Sequence, residues 1–263
     1  MIKLNGQIVE VNHFPDGTTL MKQDVADSMW RNTSKIEWFF ENNEELVTLI
    51  YLTKHLRENG IKYIVLHLPY IPNARQDRVK SSEDVFTLKY FADIINYLNF
   101  DYVQVTDAHS NVSVALIDRV IPCDPKPYIN EVIHNCNPDM LFFPDEGSMK
   151  RYSSMSQMEY AFGIKKRDWA TGKIEGLDVF GCTEKIKGGN ILIVDDICSR
   201  GGTFLHSAKK LKELGANKIY LYITHCENTI LDGELLTSGL IEKVYTTNSI
   251  FTKEHEKIEV FEL

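Results

Sequence analysis

The sequence predicts an α/β protein whose strands lie in mostly parallel sheets. Three observations carry this. Short apolar runs of strand length alternate with amphipathic stretches of helix length. Several of these runs end directly in turn residues and charges, as in Pro144-Asp145-Glu146-Gly147 and Asp195-Asp196. The alternation also occurs twice, once in each half of the chain.

Residues 7–12 and 18–22 flank Phe14-Pro15-Asp16-Gly17 and predict a hairpin. Residues 36–40 are a short strand. Within 43–58, Leu46, Leu49, Ile50, Thr53 and Leu56 share one helical face, and Asn59-Gly60 stops that helix. Tyr63–Leu68 is a buried strand. Ser81-Ser82-Glu83-Asp84 starts a helix that runs to Leu98, and Tyr102–Thr106 is the next strand. In the second half, strand Met140–Phe143 runs into Pro144-Asp145, and strand 160–164 into Lys165-Lys166-Arg167. Strand 191–194 ends at the paired aspartates; helix 202–214 follows and closes at Gly215. Residues 218–224 and Lys243–Thr247 are further strands. Pro122, Pro125, Pro127 and Pro138 cluster between the halves, so the expected domains are 1–130 and 131–263.

The hydrophobic content of 43% is ample for a core in each half. The chain has no apolar run of spanning length, and its first residues are too polar for a signal peptide. The five cysteines are scattered, without a Cys-x-x-Cys pair, so reduced thiols in a cytoplasmic protein are expected and a zinc site is not. Cys198 reads as a small half-buried residue. A net charge of −8 argues against non-specific binding to nucleic acid or anionic membranes.

The chemistry concentrates at strand ends. Asp195 and Asp196 close an apolar strand, where carboxylates can accept hydrogen bonds from vicinal hydroxyls or hold Mg²⁺. Ser199-Arg200-Gly201-Gly202-Thr203 follows: two glycines let the backbone approach a phosphate, and a helix N-terminus favours an anion. Together these suit a ribose carrying a 5-phosphate. Arg75-Gln76-Asp77-Arg78 follows another strand, with two guanidinium groups that can grip phosphates. Asp107-Ala108-His109 follows a third.

These motifs resemble those of the ribose-phosphate diphosphokinases (PRPP synthetases), within the type I phosphoribosyltransferase superfamily. The chain's Pro69-Tyr70 through Ala74-Arg75-Gln76-Asp77-Arg78 is similar to the family's ATP-contacting segment, with Asn73 in place of a tyrosine. Asp107-Ala108-His109 resembles the family's Asp-Leu-His, whose histidine helps bind Mg²⁺–ATP. Pro144-Asp145-Glu146-Gly147, with Arg151 beyond it, looks like the family's Pro-Asp-x-Gly, whose aspartate serves a second Mg²⁺ and the ribose hydroxyls. Lys165-Lys166-Arg167 resembles the Lys-Arg-Arg of the family's catalytic loop. Phe14-Pro15-Asp16-Gly17 resembles a hairpin tip that reaches the adenine of ATP in a neighbouring subunit, with Thr18 in place of a glutamate. Thr224-His225 matches a Thr-His, which is read as packing.

The resemblance implies two tandem phosphoribosyltransferase-like domains, each doubly wound with a mostly parallel sheet. The first would bind ATP through Phe14, Asp16, Arg75, Gln76, Asp77, Arg78 and His109. The second would bind the ribose phosphate through Asp145, Asp195, Asp196, Ser199, Arg200, Gly201, Gly202 and Thr203. Lys165 and Arg167 would be catalytic, and His109 and Asp145 would serve Mg²⁺. It implies transfer of a pyrophosphoryl group from ATP to the anomeric hydroxyl of ribose 5-phosphate, and a homo-oligomer, dimer or higher. A first strand and helix that family members place before the hairpin are expected to be absent.

The family's phosphate loop reads Asp-Thr-Gly-Gly-Thr. Ser199-Arg200 makes this loop about two charges more positive at neutral pH. That permits a pyrophosphate-bearing acceptor, ADP-ribose, as an alternative placed in NAD salvage. Two other readings are a phosphoribosyltransferase, which has no need of the Ala-Arg-Gln-Asp-Arg segment, and a non-catalytic associated subunit, which tends to lose the cations and metal ligands kept here.

Overall fold

The computed structural model describes residues 1–167 and 174–263, with the side chains of 165–167, 174 and 175 outside the description. The chain divides into two compact units, Met1–Asp124 and Pro125–Leu263.

The first unit contains β1 (Ile2–Leu4), β2 (Gln7–Ile8), β3 (Val11–His13), β4 (Thr19–Met21), α1 (Ala26–Arg31), β5 (Thr33–Trp38), α2 (Glu44–Glu58), β6 (Tyr63–Leu68), α3 (Thr87–Tyr97), β7 (Tyr102–Thr106), α4 (Asn111–Leu116) and β8 (Val120–Cys123). Its sheet has the order β2-β1-β5-β6-β7-β8, with β5 to β8 parallel and β1 antiparallel to both neighbours. Strands β3 and β4 pair as a separate hairpin. Ile36, Trp38, Ile64, Leu66, Leu68, Val103 and Val105 alternate onto one sheet face. They bury Leu49, Leu52 and Leu56 of α2 and Leu88, Phe91 and Ile95 of α3. Each such side chain contributes about 1.5–3 kcal/mol by leaving water.

Helix α3 starts at Thr87 rather than at Ser81. The Asp84 carboxylate accepts the backbone N–H groups of Lys80 at 2.7 Å and Ser81 at 3.0 Å. It thereby ties the expected helix start into a closed polar turn.

The second unit contains α5 (Lys126–Cys136), β9 (Met140–Phe143), α6 (Glu146–Tyr152), β10 (Tyr160–Arg167), β11 (Ile174–Gly181), β12 (Ile191–Cys198), α7 (Gly202–Glu213), β13 (Ile219–Cys226), β14 (Lys243–Thr247) and β15 (Ile258–Phe261). The sheet order is β11-β10-β9-β12-β13-β14-β15, parallel except for β11. This sheet is apolar on both faces, which explains its unbroken hydrophobic strands. Phe142, Ile193 and Leu221 pack with Phe204, Ala208 and Leu211 of α7. Phe143, Leu192, Val194 and Tyr222 pack on the other face with Ile129 and Val132 of α5 and Tyr152 of α6.

From β9 the chain winds outward to β10 in one direction, whereas β12 lies on the other side of β9. Helix α6 contributes to one core and α7 to the opposite one. Such a reversal opens a crevice at the carboxyl ends of the two strands, the usual place for a ligand in an open α/β sheet. Among the described residues, no helix is long and apolar enough to cross a membrane.

Candidate active site

Three carboxylates gather at the carboxyl ends of β9 and β12. Asp145 follows β9 and is the N-cap of α6. Its Oδ1 accepts the Ser148 backbone N–H at 3.1 Å, while the Asp145 N–H donates to Ser148 Oγ at 3.3 Å, closing a capping box. Strand β12 does not stop at Val194 but continues through both aspartates to Cys198, because β13 runs on beside it and pairs Ile197 with His225 and Cys198 with Cys226. Asp195 and Asp196 are therefore strand residues, not loop residues.

Arg151 meets the pair. Arg151, in the last turn of α6, donates through Nη2 to Asp196 Oδ1 at 2.7 Å and to Asp195 Oδ1 at 3.3 Å. The Asp196 side chain is only 4% exposed and that of Asp195 13%. Burial, followed by the charge of Asp196, holds the Asp195 carboxyl well above the usual carboxylate range, with Asp145 adding to the effect and Arg151 opposing it.

The loop after β12 turns into α7 through Gly201, whose φ of +79° lies in the left-handed region. A Cβ there would also stand 2.8 Å from the Leu235 side chain. Ser199, Gly202 and Thr203 complete the loop, with Gly202 opening the helix. This presents free backbone N–H groups at a helix N-terminus, an arrangement that suits a phosphate. The Arg200 side chain makes no hydrogen bond or ion pair among the described residues, and the residue is exposed.

In the first unit, two strand-end loops converge on Asp77. The loop after β6 buries Ile71 and Ala74 and turns at Asn73, whose φ of +64° suits asparagine far better than a bulky side chain. That turn presents Arg75, Gln76, Asp77 and Arg78. Gln76 Oε1 accepts from the Thr87 hydroxyl at the start of α3. Arg78 Nε donates to Asp77 Oδ1 at 2.9 Å. Burial raises the Asp77 carboxyl, and Arg78 opposes it. Ser110 and His109, from the loop after β7, add to the pull, so its pKa ends below the ordinary value. Asp107 opens that second loop with a φ of +45°, and its N–H donates to Cys123 O at 3.0 Å.

The β3–β4 hairpin carries Phe14 exposed at its tip. Asp16 Oδ1 accepts the backbone N–H of Thr18 at 3.0 Å and its hydroxyl at 2.7 Å. Thr18 thus serves the turn itself, and Asp16 is held below the ordinary carboxylate pKa by these bonds.

The chain is similar to known proteins along most of its length. Residues 177–262 match the phosphoribosyl synthetase-associated domain family. The ribose-phosphate pyrophosphokinase of Thermococcus kodakarensis is 28% identical over 251 residues, covering 93% of this chain and 86% of that protein. The Pyrococcus furiosus protein of the same name is 27% identical, with 93% and 86% covered. The chain is thus similar to ribose-phosphate pyrophosphokinases along almost its whole length. The phosphoribosylpyrophosphate synthetase structure from Mycobacterium smegmatis superposes with a TM-score of 0.78 at 20% identity, covering 97% of this chain and 86% of that one. The two therefore share a fold along almost the whole chain.

Lys165 and Arg167 lie in β10 by their backbones, paired with Leu177 and Ile174 of β11. Their side chains fall outside the described residues. No group of three or more His, Cys, Asp or Glu side chains forms a metal site among the described residues. The oxygen donors of Asp145, Asp195 and Asp196 nonetheless fit a hard cation such as Mg²⁺, which is held by one or two carboxylates together with substrate phosphates and water. Two features escaped the sequence reading. Arg151 was legible only as a cation one turn beyond Gly147, and nothing marked its partners 44 and 45 residues away. Gly233, which backs the phosphate loop, carries no motif.

Proposed function

We propose that this chain transfers the β,γ-pyrophosphoryl group of ATP to the anomeric 1-hydroxyl of ribose 5-phosphate, releasing AMP. The observation that carries this reading is the crevice of the second unit. Asp145, Asp195 and Asp196 stand there at the ends of β9 and β12, with a glycine loop leading from β12 to the N-terminus of α7. The names of the curated relatives support the same chemistry.

In this proposal the aspartates accept the ribose hydroxyls, and Ser199 to Thr203 hold the 5-phosphate. Arg75, Gln76, Asp77, Arg78 and His109 hold ATP, and Phe14 and Asp16 lie at its adenine end. Mg²⁺ bound with ATP, served by His109, and a second Mg²⁺ served by Asp145 would neutralise phosphate charge and polarise the transferring group. The anomeric oxygen gives up its proton to solvent and forms a bond to the β-phosphorus as the bond from that phosphorus to the α,β-bridging oxygen breaks. AMP leaves with that oxygen. A loose transition state of this kind is accelerated by position and by cations, the role assigned to Lys165 and Arg167.

A second reading keeps the chemistry and changes the acceptor to ADP-ribose. The exposed Arg200 guanidinium in the phosphate loop, which makes no ion pair among the described residues, favours it, since guanidinium can span two phosphates. The test is AMP release from ATP and Mg²⁺ by purified protein, with ribose 5-phosphate or ADP-ribose supplied. Faster release with ribose 5-phosphate supports the first reading, and faster release with ADP-ribose the second. No AMP with either overturns both.

A further inference from the structure

Among the described residues, strands β3 and β4 pair with each other and not with the six-stranded sheet of their unit. Val11 and Met21 pack this hairpin on the core, so side chains rather than a backbone ladder fix its angle. Beside it lies a cavity of about 580 Å³, within the range usual for small-ligand sites. Met21, Lys22 and Asp24 wall one side, and Tyr51, Leu52 and His55 of α2 the other. Leu52 is fully buried and Met21 half-buried, which makes the floor apolar. Tyr51 stands one helical turn before His55 and leaves 51% of its surface open as a stacking face. Asn59 Nδ2 donates to His55 Nδ1 at 3.4 Å, so a neutral ring carries its hydrogen on Nε2. The exposed Lys22 ammonium makes no ion pair or hydrogen bond among the described residues. Asp24 Oδ1 accepts the Ala26 N–H at 2.8 Å, and its Oδ2 has no partner among the described residues.

We infer that this cavity is a second nucleotide site, built for a purine nucleoside monophosphate. A bare anion would leave the tyrosine face and the apolar floor uncovered. A purely apolar ligand would leave the ammonium and the imidazole N–H unmatched. A nucleotide meets all of them: the base stacks on Tyr51 over Met21 and Leu52, the ribose hydroxyls donate to Asp24, and the phosphate takes Lys22 and His55. None of these residues is among those assigned above to ATP or to the acceptor. The cavity adjoins the hairpin whose tip carries Phe14 and Asp16, and its effect on turnover rests on the reading that puts them at the adenine end of ATP. A ligand lodged between β4 and α2 braces the hairpin. ATP binding then orders less of the tip, so the two ligands favour each other.

The inference is tested by calorimetry on the full chain, with α,β-methylene-ATP and ribose 5-phosphate in excess to fill the sites assigned above. The titrants are GMP, AMP, adenosine and inorganic phosphate. GMP or AMP is expected to bind at one site per chain, at least about tenfold tighter than adenosine or phosphate. Lys22→Gln and Tyr51→Leu should each weaken that binding by at least about tenfold. Both side chains are exposed, so the variants should fold and release AMP from ATP as the unaltered protein does when no monophosphate is added. Absence of binding, binding that survives both variants, or adenosine or phosphate bound as tightly overturns the inference. With GMP present, the KM for ATP should fall by at least about fivefold while kcat stays the same. A KM that does not fall overturns the coupling to the hairpin. Failure of the proposed reaction, seen as no AMP with any acceptor, is read separately and leaves the calorimetric result standing.

Discussion

A Cβ placed on Gly233 would stand 2.0 Å from the carbonyl oxygen of Arg200. The backbone of the 3₁₀ turn over Asn228–Asp232 therefore ends against the phosphate loop with no room for a side chain. The φ at Gly233 is −96°, which any residue adopts, so close approach alone demands glycine here. Gly233→Ala should push the loop outward. We expect a stability loss of about 1–3 kcal/mol, the usual scale of overpacking, and about tenfold weaker acceptor binding. Urea denaturation and calorimetry check the two effects; unchanged acceptor affinity would show that the loop can move without consequence.

Asp195 sets function against stability. Its carboxyl titrates well above its unfolded value, so the folded protein binds the proton more tightly than the unfolded chain. The sign follows: stability is greatest in acid and is lost as pH rises through the native pKa. Asp195→Asn, which cannot ionise, should raise the melting temperature of the ligand-free protein at neutral pH. A gain of about 2–4 °C corresponds to about 1 kcal/mol at this chain length. The gain should shrink toward pH 4, and AMP release should fall. A gain independent of pH would assign the effect to packing instead.

His67 gives the opposite slope. It is 6% exposed in β6, where burial and then Lys35 lower its pKa despite Glu37 beside it. The unfolded chain accepts a proton on this histidine at about pH 6.5, before the folded one does. Stability should therefore decline as pH falls below that value toward the native pKa. His67→Gln should flatten this limb in chemical denaturation followed across pH. An unchanged slope would place the linked protons elsewhere.

The thiols should sort by burial. Cys198 is 1% exposed and Cys226 fully buried, and Cys226 lies well above the ordinary thiol range because of the adjoining Cys198 thiol and burial. Burial pushes Cys136 up to about 12. Iodoacetamide at pH 8 should label the half-buried Cys123 and Cys182 first, Cys136 slowly because its thiol stays protonated, and Cys198 and Cys226 only on unfolding, as read by mass spectrometry. Early labelling of Cys198 would show that the strand end beside the phosphate loop opens readily.

Strands buried in a parallel sheet were legible because their apolar runs leave no other reading: β6, β7 and β9 lie where the sequence places them. Boundaries failed where polar side chains act at long range or out of type. Asp195 and Asp196 read as the end of a strand, yet β13 beside them carries that strand on to Cys198. Ser81 to Asp84 read as a helix cap, yet Asp84 folds back on the preceding backbone. Pro125 and Pro127 read as a linker, whereas they begin α5, where proline's missing N–H has no partner to lose. In the candidate site the motifs named the residues that gather at strand ends. The contacts that hold them came from elsewhere in the chain: Arg151 on the aspartates, Gly233 behind Arg200. Those depend on tertiary neighbours that no local pattern encodes.

The capping box at Asp145 has a further consequence. The oxygen that closes the start of α6 belongs to the same side chain that faces the crevice. Glutamate would carry its oxygens one methylene too far to cap, and asparagine would keep the cap while giving up the charge. Substitution at residue 145 is thus constrained by two unrelated demands, helix initiation and ligand chemistry. Over evolutionary time, neither can drift without first releasing the other.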